Sequence, residues 1–590
     1  MQNKAILFER PQIEKIKQDI ADAINKIVKK DIVEAINLIY PPNQNFGDLS
    51  LPCFELAKEF KKTSVEMAEF LTSKIKLDNI ILTTKAIGPY LNFILDKSKL
   101  ATTIIEEILS TKQFYGLNSF GNKEKVMIEY SNVNTHKEYH VGHLRNICYG
   151  DAVAKILLAN GYKTTSVSYI NDFGIHVAKT IWAYQTFLKE EKSNIIPLIP
   201  FVEEKNKGYF LGKIYVRACE ELEKNKENKT AVDLIMKNIE SKQGSDYELW
   251  QETRQWSIDG LAKIYDELKI KFDQIFYESE FIDRGLDLVG QLYTKRFLVK
   301  SEGAVIADLQ KYDLGVMVIL RSDGAALYPV ADLPLAIEKF KKCKINKSIY
   351  VVDTRQSLYF RQLFKILELL GFKQEMKHLS YEFVKLPEGM MSSRTGKVIT
   401  YEDLYEQALE KVVLEIKKRH EDWNEEKVNN IAKKIVIGAL KFEMIKVSAD
   451  KVITFDIEQA LRFDGFTSAY LQYTVARINS IISKSKVESQ KSIKSEVVLD
   501  NLKDIKEHFL IIKLAKYPEI IKIAGENYDP SEIAKYLFEL AQEFNDYYHC
   551  VQILKAEEEI MQARLALIMT VRQVVVNGLE LLGIEVVEEM

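Results

Sequence analysis

Two histidines three residues apart, His140 and His143, enclose Gly142 and follow Lys137 closely, and no other stretch of this 590-residue chain gathers so much shared chemistry. On the first turn of a helix such a pair lies on one face, and both rings can donate to the same oxyanion. A helix N-terminus adds free N–H groups and the positive end of its dipole, which suits phosphate. Gly142 lets a flat base or a ribose come close to the backbone, and Lys137 contributes a full cation. A metal site would need a third ligand or an i,i+4 spacing, and neither lies nearby. The spacing points to a nucleotide phosphate site.

The elements that must position this cluster are legible around it. A β-prone run, Val126-Met127-Ile128, precedes it, and an amphipathic helix is predicted from it to about Asn160, where Gly161 supplies the left-handed stop. A second β-prone run covers Thr164 to Ile170. Strand, helix and strand read as a βαβ unit, whose ligand site lies at the carboxyl end of the first strand.

Bulk properties narrow the rest. With 82 basic and 85 acidic residues the net charge is −3, so a polyanion must be held by local basic faces. No 18-residue apolar run and no N-terminal signal core occur, so a cytoplasmic chain without membrane contact is expected. Five scattered cysteines with no C-x-x-C support neither a disulfide framework nor a zinc site.

The stretch from Glu129 to Arg145 (Glu129, Ser131, Asn132, Asn134, Lys137, then His140-Val141-Gly142-His143-Leu144-Arg145) resembles the nucleotide-binding signature of class I aminoacyl-tRNA synthetases, and more narrowly that of the arginyl-tRNA synthetase family. A second stretch, Met390-Met391-Ser392-Ser393-Arg394-Thr395-Gly396-Lys397, is similar to the family's K-M-S-K-S loop, with both lysine positions lost to Met390 and Ser393. The resemblance implies ATP binding by His140, Gly142, His143, Met391, Ser392 and Ser393, and catalysis by His140, His143, Lys137 and Arg394, Lys137 replacing the missing loop lysine. Magnesium is implied with ATP and no protein-held metal.

Tyr328, Asp332 and Gln356 match the family's D-G-x-x-x-Y-x-x-x-D and downstream glutamine. A guanidinium is planar, permanently charged and rich in donors, so it calls for carboxylates and a flat partner. The arginine site is accordingly expected from Glu129, Asn132, Asn134, His143, Tyr328, Asp332 and Gln356, with Asp332, Tyr328 and Glu129 on the guanidinium and Asn134 and Gln356 on the α-amino group.

The resemblance covers nearly the whole chain. It implies an α/β multidomain fold: a small N-terminal α/β domain (1–108) for the tRNA elbow, a Rossmann-like parallel-sheet catalytic domain (120–385) with a helical insertion (about 194–266), a signature-loop and stem-contact region (386–455), and an all-α anticodon-binding bundle (456–590). Tyr90 and Asn92 would meet one base, since alternate strand residues share a face. Tyr470, Tyr473 and Arg477 form a helical stripe able to stack on unpaired bases, though such a stripe is also what a core face looks like. Met590 would complete the bundle's tRNA surface, and lysines between Ile431 and Ile445 would face the inner limb of the RNA. The expected activity is ATP-dependent ligation of L-arginine to its tRNA by a monomer, with activation dependent on bound tRNA. The alternatives are another class I synthetase and a catalytically impaired tRNA-binding paralogue.

Overall fold

The computed structural model describes residues 10–76, 80–190, 207–387, 399–485 and 499–590. At the N-terminus, β1 (Leu49–Pro52), β2 (Ile81–Ile87) and β3 (Tyr90–Leu95) pair antiparallel in the order β1-β3-β2. Asp48, at the start of β1, is buried; its Oδ2 accepts the Leu95 N–H at 2.7 Å and its Oδ1 lies 2.6 Å from His508 Nε2. His508 belongs to the C-terminal bundle, so this carboxylate joins the two ends of the chain.

The central sheet is parallel and contains β4 (Lys125–Glu129), β5 (Lys163–Ile170), β6 (Gln274–Tyr277), β10 (Lys347–Asp353) and β11 (Glu375–Tyr381), in the order β11-β10-β4-β5-β6. Strands β7 (Val299–Ser301), β8 (Ala304–Asp308) and β9 (Val316–Leu320) make a separate antiparallel sheet, and the short strands Val384–Lys385 and Ile453–Thr454 pair in parallel. In β4, Val126, Met127 and Ile128 are buried without alternation, as a central parallel strand covered on both faces requires. Strand order runs outward in opposite directions from β4 and β10, and the crevice at such a reversal is where ligands of open α/β sheets bind.

The signature helix (Val141–Ala159) follows β4, is capped by Asn160 and ends before Gly161 at φ +82°. It departs from the predicted amphipathic pattern: nearly all of it is buried, because the sheet covers one side and the C-terminal bundle the other. Tyr149 OH donates to Tyr528 O at 3.0 Å and Asn160 Nδ2 to Ile521 O at 2.9 Å across that second interface. Arg145, 1% exposed, donates to the carbonyls of Phe383, Ser448, Ala449 and Lys451, which pins the end of the catalytic domain to the segment after the Glu425–Ile445 helix. That last helix corrects one expectation. Lys441 does not face solvent but is buried, donating to Gly583 O at 2.7 Å; Lys433 is exposed.

Between β5 and β6 lie helices Ile175–Glu190, Lys207–Lys224, Lys229–Glu240 and Ser245–Glu267, the last three overlapping the expected insertion, with a core of their own around Val177, Phe210, Ile214, Val232 and Trp250. Among the described residues no helix is long and apolar enough to cross a membrane.

Gly150 lies against the ring of Tyr130, where a Cβ would come within 2.3 Å of Cγ. Gly150→Ala should therefore destabilise the protein by about 1–3 kcal/mol through overpacking. Gly290, exposed in the Ile282–Thr294 helix with open space around it, is the control: Gly290→Ala should be neutral or stabilise by up to about 1 kcal/mol. Thermal midpoints of the two variants check both signs.

Candidate active site

A cavity of about 670 Å³ opens at the carboxyl ends of β4 and β10. It gathers Glu129, Asn132, Asn134, His140, Gly142, His143, Tyr328, Asp332 and Gln356, which lie as much as 227 positions apart (356 − 129) in the sequence. The chain thus brings together every described residue expected at the nucleotide and amino-acid ends of one site, save Lys137, which sits just behind the histidines.

At the nucleotide end the histidines cap their own helix. The Gly142 N–H donates to His140 Nδ1 and the His140 N–H donates to His143 Nδ1, both at 3.2 Å. The rings stack with centroids 3.8 Å apart and planes 17° from parallel. A ring that accepts at Nδ1 carries its proton on Nε2, so both are neutral donors. Burial favours the same state: it draws His140 down to about 4 and His143 well below its usual value, and the Lys137 charge pushes both further in that direction. The histidines therefore offer N–H dipoles, and the full positive charge falls to Lys137, whose ammonium lies 5.1 Å from the Tyr215 ring centroid. These nitrogen donors fit phosphate oxygens, whereas a hard divalent cation takes oxygen ligands. Among the described residues no group of three or more His, Cys, Asp or Glu could hold a metal.

The amino-acid end differs from expectation in which carboxylate is available. Glu129 is buried, ion-paired to Lys339, and accepts from Asn132 Nδ2 at 2.8 Å. The Lys339 ammonium is itself buried, with the rings of Tyr169, Phe276 and Tyr350 within 5.6 Å. Glu129 and Asn132 are thereby committed to each other and to Lys339. Asp332 stands differently: Oδ2 accepts from Tyr359 OH, while Oδ1 is buried and has no hydrogen bond. Burial raises its pKa to about 6. Glu278, behind it, accepts from Asn171 Nδ2 at 3.1 Å and is pushed by burial to about 8, so it is neutral at pH 7. Tyr328, 63% exposed, and Gln356 stand at the cavity mouth, and Asn134 is bridged to Asn171 across the loop.

Lys339, Tyr359 and Glu278 are the residues sequence reasoning missed. Tyr359 follows Gln356 by one helical turn, a signal that was present; Lys339 and Glu278 carried none, because each reaches the site only through the packing of a distant helix or strand.

Met391, Ser392, Ser393 and Arg394 lie outside the described residues. Directly after them, Thr400 bridges back to His140 and the Tyr401 N–H donates to Tyr139 O at 2.8 Å. Farther off, Asn92 is 1% exposed and turns its amide to Lys85 O and Tyr90 O, so it does not share a surface with Tyr90, which meets Phe54 edge-on instead. The physical reason is that β3 is the middle strand and Gly47 packs directly on the Asn92 Cβ. On the Ser468–Lys484 helix, Tyr470 packs against Phe538 and accepts from Asn545, whereas Arg477 lies over Tyr473 and Tyr548. Met590 packs, partly buried, on the bundle core.

The family model for the catalytic domain of tRNA synthetases class I (R) matches residues 104–456. The DALR anticodon binding domain matches 471–590 and the arginyl tRNA synthetase N terminal domain 14–95. An arginine–tRNA ligase from Bdellovibrio bacteriovorus is 36% identical over 95% of both chains. One from Clostridium botulinum is 34% identical over 97% of this chain and 100% of its own. The arginyl-tRNA synthetase structure from Thermus thermophilus superposes with a TM-score of 0.78 at 26% identity, covering 98% of this chain and 100% of that one. In sequence along its whole length and in fold, this chain belongs to the arginyl-tRNA synthetase family.

Proposed function

We infer that the chain is an arginine–tRNA ligase, which activates L-arginine with ATP and transfers the arginyl group to the terminal adenosine of its tRNA. The observation that carries the arginine specificity is Asp332, a buried carboxylate of the cavity lining whose Oδ1 has no hydrogen bond, while the other buried carboxylate of that lining, Glu129, is already paired. An unpaired buried acceptor is costly unless a ligand completes it, and a guanidinium supplies the missing donors with a compensating charge. Tyr359 orients the acceptor, Tyr328 offers a flat face at the mouth, and Asn134, Gln356 and His143 are left for the α-amino and carboxylate end. Glu129 and Asn132 act here by holding Lys339.

In the first step an arginine carboxylate oxygen attacks the α-phosphorus of ATP, and the bond to pyrophosphate breaks. In the second the 2′-OH of the terminal adenosine attacks the activated carbonyl carbon, and AMP leaves. No side chain need act as a nucleophile; the work is alignment and stabilisation of charge on phosphate oxygens. His140 and His143 supply Nε2–H donors, Gly142 admits the nucleoside, Lys137 neutralises the leaving pyrophosphate, and Met391, Ser392, Ser393 and Arg394 close the set. Magnesium fits this donor set only as the ion carried on the triphosphate, where it offsets negative charge. Residues 1–108 serve the tRNA elbow through Tyr90, 120–385 the chemistry, 386–455 the acceptor stem, and 456–590, with Tyr473, Arg477 and Met590, the anticodon. We take the monomer as the working unit.

Asp332→Asn should raise the KM for arginine by the equivalent of about 3–5 kcal/mol while leaving the KM for ATP nearly unchanged, because a buried guanidinium loses its counter-charge. A change of less than about twofold in steady-state exchange assays would refute the pocket.

The same carboxyl gives the pH dependence its sign. With a ligand-free pKa of about 6, Asp332 is ionised above that pH and must release a proton to bind arginine below it. Arginine affinity is thus present above pH 6 and falls by about tenfold per unit as pH drops below it. His140, at about 4, does not titrate in that window, so between pH 7 and 5 the KM for ATP should follow only the protonation of the nucleotide's own terminal phosphate.

Tyr473→Ala should raise the KM for tRNA by the equivalent of about 1–3 kcal/mol. Tyr470→Ala should chiefly lower the thermal midpoint, since its ring is packed on Phe538. Kinetics with melting curves on both variants separates base stacking from core packing.

A further inference from the structure

The loop from Tyr130 to His140 carries much of the cavity, and its backbone is strained at two points. Ser131 (φ +59°) and His136 (φ +58°) are non-glycine residues in the left-handed region. Such a state costs about 1–2 kcal/mol per residue and persists only where the surroundings hold it. Asn146 and Ser168 hold the Ser131 backbone, and one helix of the insertion, Ser245–Glu267, reaches both strained residues. Tyr265 OH lies 2.9 Å from Ser131 Oγ, the His136 N–H donates to Ser257 Oγ at 3.0 Å, and His136 Nε2 lies 2.8 Å from Thr253 Oγ1. Thr253 spends its own proton on Leu249 O at 2.7 Å, so it accepts from His136 Nε2–H, and His136 Nδ1 in turn faces Thr135 Oγ1 at 2.9 Å.

A second insertion helix, Lys207–Lys224, grips the next turn of the loop. Lys213 Nζ lies 3.0 Å from Glu138 Oε1 and 3.6 Å from Asp403 Oδ2, and Tyr209 OH donates to Asp403 Oδ1 at 2.8 Å. Gly212 approaches so closely that a Cβ there would sit 2.8 Å from Glu138 N. Lys137 falls between these two grips, and the ring beside its ammonium, Tyr215, belongs to the same helix. Asp403 stands at the start of the Tyr401–Arg419 helix, so one lysine joins the histidine signature to the helix that follows the second signature.

We propose that these two insertion helices are a splint that aims Lys137 at the phosphate end of the cavity, with Thr253, Ser257 and Lys213 as positioning residues for the activation step. This rests on the reading of Lys137 as the cation that meets leaving pyrophosphate. The splint explains why a charged, motif-poor helical segment is packed against the most demanding loop of the molecule: it supplies rigidity that the loop's own sequence lacks.

The test is ATP–pyrophosphate exchange with arginine and cognate tRNA present, together with thermal midpoints. Lys213→Met, and separately the pair Thr253→Val with Ser257→Ala, should lower kcat by about 10- to 100-fold, the scale of a misplacement near 1 Å. The KM for arginine should stay within about twofold, and Lys213→Arg should restore most of the rate. In a Lys137→Ala background the same substitutions should cause no further loss, because all act through that ammonium. Multiplying losses in that background, or a KM for arginine that rises in step, would overturn the splint. Should the buried pair fail to fold, Lys213, whose side chain is 39% exposed, carries the test alone. Full turnover in Lys137→Ala would sink the reading of Lys137 and the proposal together; a large loss there with full turnover in both splint variants would sink the splint only.

Discussion

The reciprocal cap between His140 and His143 is the interaction on which the rest of the site depends. Each Nδ1 accepts a backbone N–H of the first helical turn, which uses the inward nitrogen and leaves Nε2–H as the outward donor. The cap therefore stabilises the helix start and sets the chemistry at once. Protonation of either ring would remove an acceptor, which is the same reason that burial keeps both neutral. A site built this way offers dipoles where a pair of imidazoliums would offer charge, so a full cation at that end has to come from another side chain.

At the other end the cavity contains more carboxyl groups than free negative charge. Glu129 is neutralised by Lys339 inside a ring of aromatic faces, Asp353 is paired with Arg355, burial raises Glu278 behind the lining to about 8, and among the described carboxylates that line the cavity Asp332 is the one with an oxygen left without a hydrogen bond. One unpaired carboxylate in a largely buried setting matches one cation and penalises a neutral side chain, because an unfilled acceptor and an unbalanced charge both remain. Discrimination here follows from how few groups are left unsatisfied.

The signature helix joins these ends to the remainder of the protein by being buried on all sides. Arg145 binds it to the segments around Phe383 and Lys451, Tyr149 and Asn160 to the bundle, and Asp48 ties the N-terminal sheet to that same bundle through His508. Close packing of this kind is hardly compressible and transmits strain from one element to the next. The bundle thus packs on the element that also carries His140 and His143 at its start.

The sequence by itself determined the local facts: the βαβ unit, the stop at Gly161 and the histidine spacing. These are legible because they depend on periodicity and on residues a few positions apart, where geometry follows from spacing. The tertiary structure alone decided which side chains are already engaged. Glu129 is paired across 210 positions with Lys339, Asn92 is turned inward because β3 lies in the middle of its sheet, and Lys441 is buried under Gly583. His136 is held in a left-handed conformation by hydroxyls more than 100 positions away, 117 for Thr253 and 121 for Ser257. A side chain's type says what it can bond; whether that capacity is spent or free is settled only when distant segments are packed, because burial and charge pairing are properties of the assembled interior and not of any local stretch of chain.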